Sequence, residues 1–369
     1  MFNNRLCKIM PHFKQISNMV YNYAIENKFL YYGVGILLDG KVVYTECNGN
    51  MDIKNNIPFS IDTVIKIGSL TKNITAICIF KLRDIGLLNL DDPIYKYIPN
   101  FKIKKYKKDS QDITIRHLLN MKSGIYTDDE SVFNDNNILS TAINVFSSPG
   151  TDYIYANISF DLLGIIITNI TGMSYQLYIQ LYILNPLQMN NTTFDINKVD
   201  PKNINKQYTI DLNNNIIQFD NMNKQHNEGA GNGLFSNMRD WFKFVAFHQY
   251  AYPSRDDIDN NILKRSSIRE LHNSCDFAKI YIPDNPLENR TIDFYSNGLY
   301  SLMDLNSRKY IGHNGIFFSN SASWLISPKH GLGIIIFNSN SYKHVIHKLP
   351  YFDAKILNTL IDNSNLNEI

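Results

Sequence analysis

Apolar residues fall at near-helical spacing through residues 12–28 (HFKQISNMVYNYAIENK), where Phe13, Ile16, Val20, Tyr23 and Ala24 recur along one face, and this period predicts an amphipathic helix. The next segment, YYGVGILLDGKVVYTECNG, has two apolar runs flanking Asp39-Gly40. An Asp-Gly pair supplies the positive φ angles of a tight two-residue turn, so the segment predicts a hairpin. Strand character returns in RKYIGHNG, SASWLISP and GLGIIIFNS, whose β-branched and aromatic runs are punctuated by Gly, Pro and Asn. Residues 342–362 read as a closing helix. Between these ends, roughly residues 70–290 carry helical patterns: TKNITAICIFKLRDIG, ITIRHLLNMKSG, SFDLLGIIITNITG, YQLYIQLYILNPL and NMRDWFKFVAFHQYA. Strands at both ends around a helical middle predict an α/β (α+β) fold, with one antiparallel sheet built from both chain ends and flanked by helices. The expected organisation is a single domain, with a sheet subdomain at about 12–68 and 291–369 and a mostly helical insertion at about 69–290. Segments 200–228 and 251–290 lack clear periodicity and are long for plain connections, which marks them as binding loops or lids.

Composition narrows the function classes. With 369 residues, 44% hydrophobic and 19% charged, the chain is a folded protein and not a disordered one. Lys plus Arg (36) against Asp plus Glu (34) leaves a formal charge of +2, so no overall field draws it to nucleic acid. Cys7, Cys47, Cys78 and Cys275 are widely separated and form no C-x-x-C pair. They read as free, buried thiols and not as a zinc ribbon or disulfide framework. The first residues, MFNNRLCKIMPHFKQ, hold no uninterrupted apolar run before a small-residue cleavage site, and no later stretch reaches 18 apolar residues. No membrane span and a cytoplasmic location are therefore expected. About one residue in eight is Asn, a bias that suggests an AT-rich genome and weakens any motif containing Asn.

Three short segments carry candidate chemistry. In IKIGSLTKNITAICIFKLRDIG, Ser69 stands just before an apolar-periodic helix and Lys72 three residues later, so the amine and the hydroxyl share a face at the positive end of the helix. Serine is a poor nucleophile without a base, and lysine serves as one only where its pKa falls far below the ordinary value of about 10.4. The same tetrapeptide also fits a helix-capping Ser beside a solvated Lys. In PGTDYIYANISFDLLG, Tyr155 and Asn157 lie in a turn ahead of another apolar helix, where a tyrosine can relay a proton. The pattern recurs at Tyr295-Ser296-Asn297, but that copy runs straight into the strand-like NGLYSLM, and Tyr155 is preferred. In Gly312-His313-Asn314-Gly315, the glycines permit close approach of another backbone or a substrate, and a strand edge there can offer an N–H to a developing oxyanion.

In order and separation these elements resemble the serine β-lactamase and penicillin-binding protein superfamily: Ser69-Leu70-Thr71-Lys72 as S-x-x-K, Tyr155-Ala156-Asn157 as Y-x-N, and His313-Asn314-Gly315 as the K/H-x-G strand triad. The blocks DGKVVYTECNGNMD, ITIRHLLNMKSGI, SSPGTDYIYAN, NPLQMNNTTF and GAGNGLFSNMRDWFKF are similar to its class C-like branch, so that the resemblance covers most of residues 30–340. It implies the β-lactamase/DD-peptidase-like fold, with Ser69 as acylated nucleophile, Lys72 as general base and Tyr155 as proton relay. It further implies that Asn157 binds a substrate amide, that His313 and Gly315 line the substrate strand, and that the N–H groups of Ser69 and Ile316 form an oxyanion hole. The class A scheme adds a deacylating glutamate, and ISFDLLGIIITNITG has none. His313 replaces the lysine of many penicillin-recognising members, and a neutral imidazole attracts a carboxylate less than an ammonium does. The expected activity is that of a serine hydrolase on an ester or amide: an esterase, a D-amino-acid peptidase or amidase, or a weak β-lactamase. A small-molecule or peptide-like acyl substrate is implied, with no metal and no organic cofactor. An acyltransferase using the same acyl-enzyme and a catalytically silent ligand-binding protein are the alternatives, and the oligomeric state is left open.

Overall fold

The strands at the two ends of the chain meet in one sheet. A computed structural model describes residues 2–127, 142–211, 213, 215–219, 229–252, 261–273, 277–281, 291–339 and 349–366. Helices α1 (Phe2–Ile9) and α2 (Phe13–Glu26) precede the hairpin of β1 (Tyr31–Leu38) and β2 (Lys41–Asp52). Asp39 and Gly40 turn it with φ of 50° and 76°, as the Asp-Gly pair predicts. Strands β3 (Ile57–Pro58) and β4 (Ile65–Lys66) lead to α3 (Thr71–Asp84). The helical middle continues with β5 (Ile103–Lys104), α4 (Ile115–Leu119), β6 (Ile143–Asn144), α5 (Asn157–Thr171) and α6 (Tyr175–Ile179). Next come the hairpin β7 (Gln207–Ile210) and β8 (Ile216–Phe219), β9 (Phe235–Ser236), α7 (Met238–Gln249) and α8 (Arg265–Leu271). The chain closes with β10 (Phe277–Tyr281), β11 (Thr291–Ser296), β12 (Leu299–Asp304), β13 (Lys309–Phe317), β14 (Asn320–Ser327), β15 (Leu332–Ser339) and α9 (Leu349–Ser364).

Among the described residues the main sheet has nine strands in the order β10-β11-β12-β13-β14-β15-β1-β2-β3, and its pairs are antiparallel. Every residue of β1, β14 and β15 is buried. An antiparallel sheet with one wet face shows alternating polar residues. Here both faces are covered, which is why β1 and β15 read as nearly continuous apolar runs and why even the small polar residues of β14 are buried. One face packs on α2 and α9 through Val20, Val34, Leu325, Ile336 and Leu357, and the other on the helical middle through Trp324, Phe337, Phe242 and Ile77.

Several elements differ from the sequence reading. The N-terminal helix has a partner upstream, α1, and the closing helix begins at Leu349; residues 340–348 lie outside the described set. Within 200–228 the structure forms the β7–β8 hairpin, and within 251–290 it forms α8 and β10. β10 adds to the sheet upstream of residue 291. Residues 220–228, 253–260, 274–276 and 282–290 of these two segments lie outside the described residues. Of the free cysteines, only Cys78 is fully buried; Cys47 is half-buried and Cys7 exposed, because Cys7 lies on the solvent side of α1. Cys275 falls outside the described residues.

Candidate active site

Ser69 sits in a tight turn, Gly68–Leu70, that runs directly into α3. Two glycines bring that turn onto β13, backbone against backbone. Gly68 has φ +56°, and a Cβ there would lie 2.2 Å from the Ile316 carbonyl oxygen. A Cβ at Gly315 would lie 2.1 Å from the Ile67 carbonyl oxygen and 2.9 Å from the Ser69 nitrogen. Real Cβ atoms do not approach so closely, so the placement of Ser69 beside Gly315 and Ile316 requires glycine at both positions. The start of α3 is therefore polar yet buried, and each of its side chains meets a partner as burial demands. Thr71 Oγ1 donates to the Gly68 carbonyl (2.7 Å), Thr75 Oγ1 to the Ala230 carbonyl (2.8 Å), and Asn73 Nδ2 to the Gly298 carbonyl (2.6 Å).

Lys72 is fully buried, one helical turn from the partly exposed Ser69. Its Nζ lies 3.0 Å from Ser69 Oγ, 2.6 Å from Asn157 Oδ1 and 2.7 Å from the Gly231 carbonyl oxygen. Burial pushes the amine down to about 7, with the Asp161 carboxylate pulling the other way. A neutral amine has two protons and one lone pair. Asn157 Oδ1 and Gly231 O, which are acceptors only, take the two protons and leave the lone pair facing the Ser69 hydroxyl. Lysine can then accept a proton from serine at neutral pH.

Tyr155 borders the same group, its ring centroid 5.0 Å from Lys72 Nζ. Burial pushes its phenol well above the ordinary value, Tyr300 adds to the rise, and a hydrogen bond with Ser69 opposes it. The phenol is protonated at neutral pH and lies beside both the Ser69 hydroxyl and the lysine. Asn157 opens α5, and its Oδ1 is committed to Lys72, a task beyond the amide contact implied by the resemblance. His313 is buried among Tyr155, Tyr295 and Tyr300, with ring centroids 6.5, 5.7 and 4.8 Å away. Its Nδ1 faces the Asn314 carbonyl oxygen (2.5 Å) and its Nε2 the Tyr295 hydroxyl (3.4 Å). Burial, with help from the charge on Lys72, pushes its pKa down to about 3, so the ring is neutral. The second Y-x-N copy is a hairpin turn: Asn297 and Gly298 join β11 to β12 with φ of 53° and 75°. Tyr295 itself packs edge-on against Tyr155.

The turn at Gly231 was not legible in the sequence as a site element. Its contribution is a backbone carbonyl, which no residue type announces, and it reaches Lys72 across 159 positions. Gly68 carried a signal, since a glycine directly before a candidate serine permits a strained approach, but only the strand opposite explains it. Among the described residues, no group of three His, Cys, Asp or Glu side chains is arranged to hold a metal ion. No single described helix is long and apolar enough to cross a membrane; α5 and the helical stretch through Leu184 reach that length only together, across an 81° bend.

Comparison with known proteins bears on the fold and the family. The family model described as Beta-lactamase matches residues 24–355. Protein flp of Staphylococcus aureus strain MW2 is 28% identical over 341 residues, 88% of this chain and 63% of that protein. Beta-lactamase-like protein 4 of Dictyostelium discoideum is 30% identical over 302 residues, 74% of this chain and 50% of that protein. The chain thus spans half to about two thirds of the length of these curated relatives. Among solved structures, the octameric penicillin-binding protein homologue from Pyrococcus abyssi superposes with a TM-score of 0.77 at 24% identity, over 96% of this chain and 79% of the other. EstCE1, described as a hydrolase with promiscuous acyltransferase activity, gives 0.75 at 15% identity, over 93% and 97%. These likenesses share the fold, a large antiparallel sheet flanked by helices, and with the match to the family model they identify the chain as a member of the Beta-lactamase family.

Proposed function

We propose that the protein is a serine hydrolase that acts on an ester or amide through an acyl-enzyme on Ser69. The observation that carries this reading is the triple contact of Lys72 Nζ with Ser69 Oγ, Asn157 Oδ1 and the Gly231 carbonyl in a buried setting. Lys72 takes the Ser69 proton as Oγ bonds to the substrate carbonyl carbon. The N–H groups of Ser69 and Ile316 stabilise the oxyanion. As the tetrahedral intermediate collapses, the bond to the leaving group breaks and the proton reaches that group through Lys72 and Tyr155. A water then gives its proton to the same pair, attacks the acyl carbon and releases the acid, and Ser69 recovers its hydrogen. Asn157 Nδ2 is left to hold a substrate amide.

A neutral His313 gives no fixed cation for a substrate carboxylate, which favours esters and amides over rapid turnover of β-lactams. The same intermediate can pass its acyl group to an amine or alcohol in place of water. A silent binding protein is disfavoured by the presence of Ser69, Lys72 and Tyr155 together. A cytoplasmic setting belongs to the same reading, supported by the free thiols of Cys7, Cys47 and Cys78.

The test is intact-protein mass spectrometry after exposure to acyl esters, D-amino-acid amides and β-lactams. A mass gain equal to an acyl group, absent in Ser69→Ala, is expected. No gain and no turnover with any member of the panel would favour the binding protein.

A further inference from the structure

Asp161 lies one helical turn after Asn157 on α5, a spacing that puts the two side chains on one face of the helix. Its side chain is buried, and Oδ1 accepts from the Gly231 N–H at 2.9 Å. The turn that carries Gly231 is closed by the Gly233 N–H on the Gly229 carbonyl (3.0 Å). It is tied to α3 by Thr75 Oγ1 on the Ala230 carbonyl (2.8 Å) and by the Leu234 N–H on Thr71 Oγ1 (3.1 Å). Asp161 ties it to α5. Of the two acceptors that hold the protons of Lys72, Asn157 Oδ1 belongs to α5 directly and Gly231 O is held to α5 by Asp161.

We infer that Asp161 is a positioning residue, fixing the Gly231 carbonyl relative to Asn157 so that the lone pair of Lys72 is aimed at Ser69. This rests on the hydrolase reading, in which Lys72 is the base. Asp161 also places a negative charge near the buried amine, which raises its pKa against the effect of burial. The other titratable groups around Lys72 among the described residues are Tyr155, ahead of α5, and His313 on β13, both uncharged at neutral pH. Burial sets the fall of the amine's pKa, and Asp161 is the charge that opposes it.

The test measures kcat/KM for p-nitrophenyl acetate from pH 5 to 9 in the full chain, with Asp161→Asn, Asp161→Ala and Lys72→Ala beside wild type. Asparagine keeps the oxygen for the Gly231 N–H and removes the charge, so the acid limb should move to lower pH by about one unit. Alanine also removes the anchor, and its plateau should fall at least about tenfold, the scale expected when a catalytic group is misplaced. A purely structural role would lower activity and melting temperature without moving the acid limb. An Asp161→Ala plateau within about threefold of wild type overturns the inference; if Asp161→Ala does not fold, an Asp161→Asn limb within about 0.2 unit of wild type overturns it, since no effect of Asp161 then reaches Lys72. An acid limb that persists unchanged in Lys72→Ala would instead show that the limb is not the lysine's, which removes Lys72 as the base in the hydrolase reading and overturns this inference with it.

Discussion

Gly315 and Ser69 are in backbone contact: a Cβ at position 315 would lie 2.9 Å from the Ser69 nitrogen and 2.1 Å from the carbonyl oxygen of Ile67. The strand that carries Ile316 and the turn that carries Ser69 are thereby fixed as one unit, and the two proposed oxyanion donors belong to its two halves. Gly315→Ala must separate them. Loss of one oxyanion donor costs about 10²–10³-fold, and the acylation rate with p-nitrophenyl acetate should fall by at least about 100-fold. A variant that acylates within about threefold of wild type would remove this contact from the catalytic account.

The position of Lys72 sets a pH dependence. Burial lowers its pKa to about 7, and the neutral form is the one that accepts the Ser69 proton. Acylation should therefore hold a plateau above pH 7 and fall about tenfold per unit below it, as expected for one required deprotonation. Stopped-flow acylation across pH 5–9 checks this. A plateau extending unchanged to pH 5 would contradict a lysine base with that pKa.

His313 gives a prediction of the opposite kind, an absence of titration. An exposed imidazole gains charge near pH 6.5 and would then draw anionic substrates. Here burial holds the ring neutral down to about pH 3. The ratio of kcat/KM for a carboxylate-bearing ester to that for its neutral methyl-ester analogue should stay flat from pH 8 to pH 5. A rise of about tenfold centred near pH 6.5 would show a protonated His313 holding the carboxylate.

Asp353 on α9 is fully buried, and burial raises its pKa to about 8. Between about pH 4 and pH 8 the folded protein keeps a proton that the unfolded chain has released, so this group lowers stability as pH rises, on the order of 1 kcal/mol per unit. Below pH 4 both states are protonated and the effect vanishes. Asp353→Asn should therefore melt higher than wild type at pH 8 and converge on it at pH 4. A difference in melting temperature that is constant with pH would contradict a neutral buried carboxyl.

Much of the architecture was legible because its signals are local. The Asp39-Gly40 turn fixes the β1–β2 hairpin within two residues, and β13, β14 and β15 read as strands because helices cover both faces of the sheet. β10 was not legible: among the described residues Phe277–Tyr281 is a short edge strand that pairs only with β11, and its setting between aperiodic segments hides it. The β7–β8 hairpin was obscured by the Asn-rich bias, which places turn-forming residues throughout the segment. In the site, Ser69, Lys72, Tyr155 and Asn157 were singled out by residue type and spacing, and the structure brings them together. The type of His313 was visible, but its enclosure by Tyr295 and Tyr300 depends on strand pairing across the sheet. Gly231 lies in the block GAGNGLFSNMRDWFKF, which was legible as family-like, but it acts through its backbone and its contact with Lys72 left no signal.

On the proposed mechanism Ser69 forms the covalent intermediate. Treatment with a fluorophosphonate, followed by proteolysis and peptide mapping, should place one adduct on the peptide containing Ser69. Ser69→Ala should take up no label, and Lys72→Ala should label at least about 100-fold more slowly, the range expected for loss of a general base. Equal labelling in Ser69→Ala, or an adduct mapped to another residue, would contradict the account.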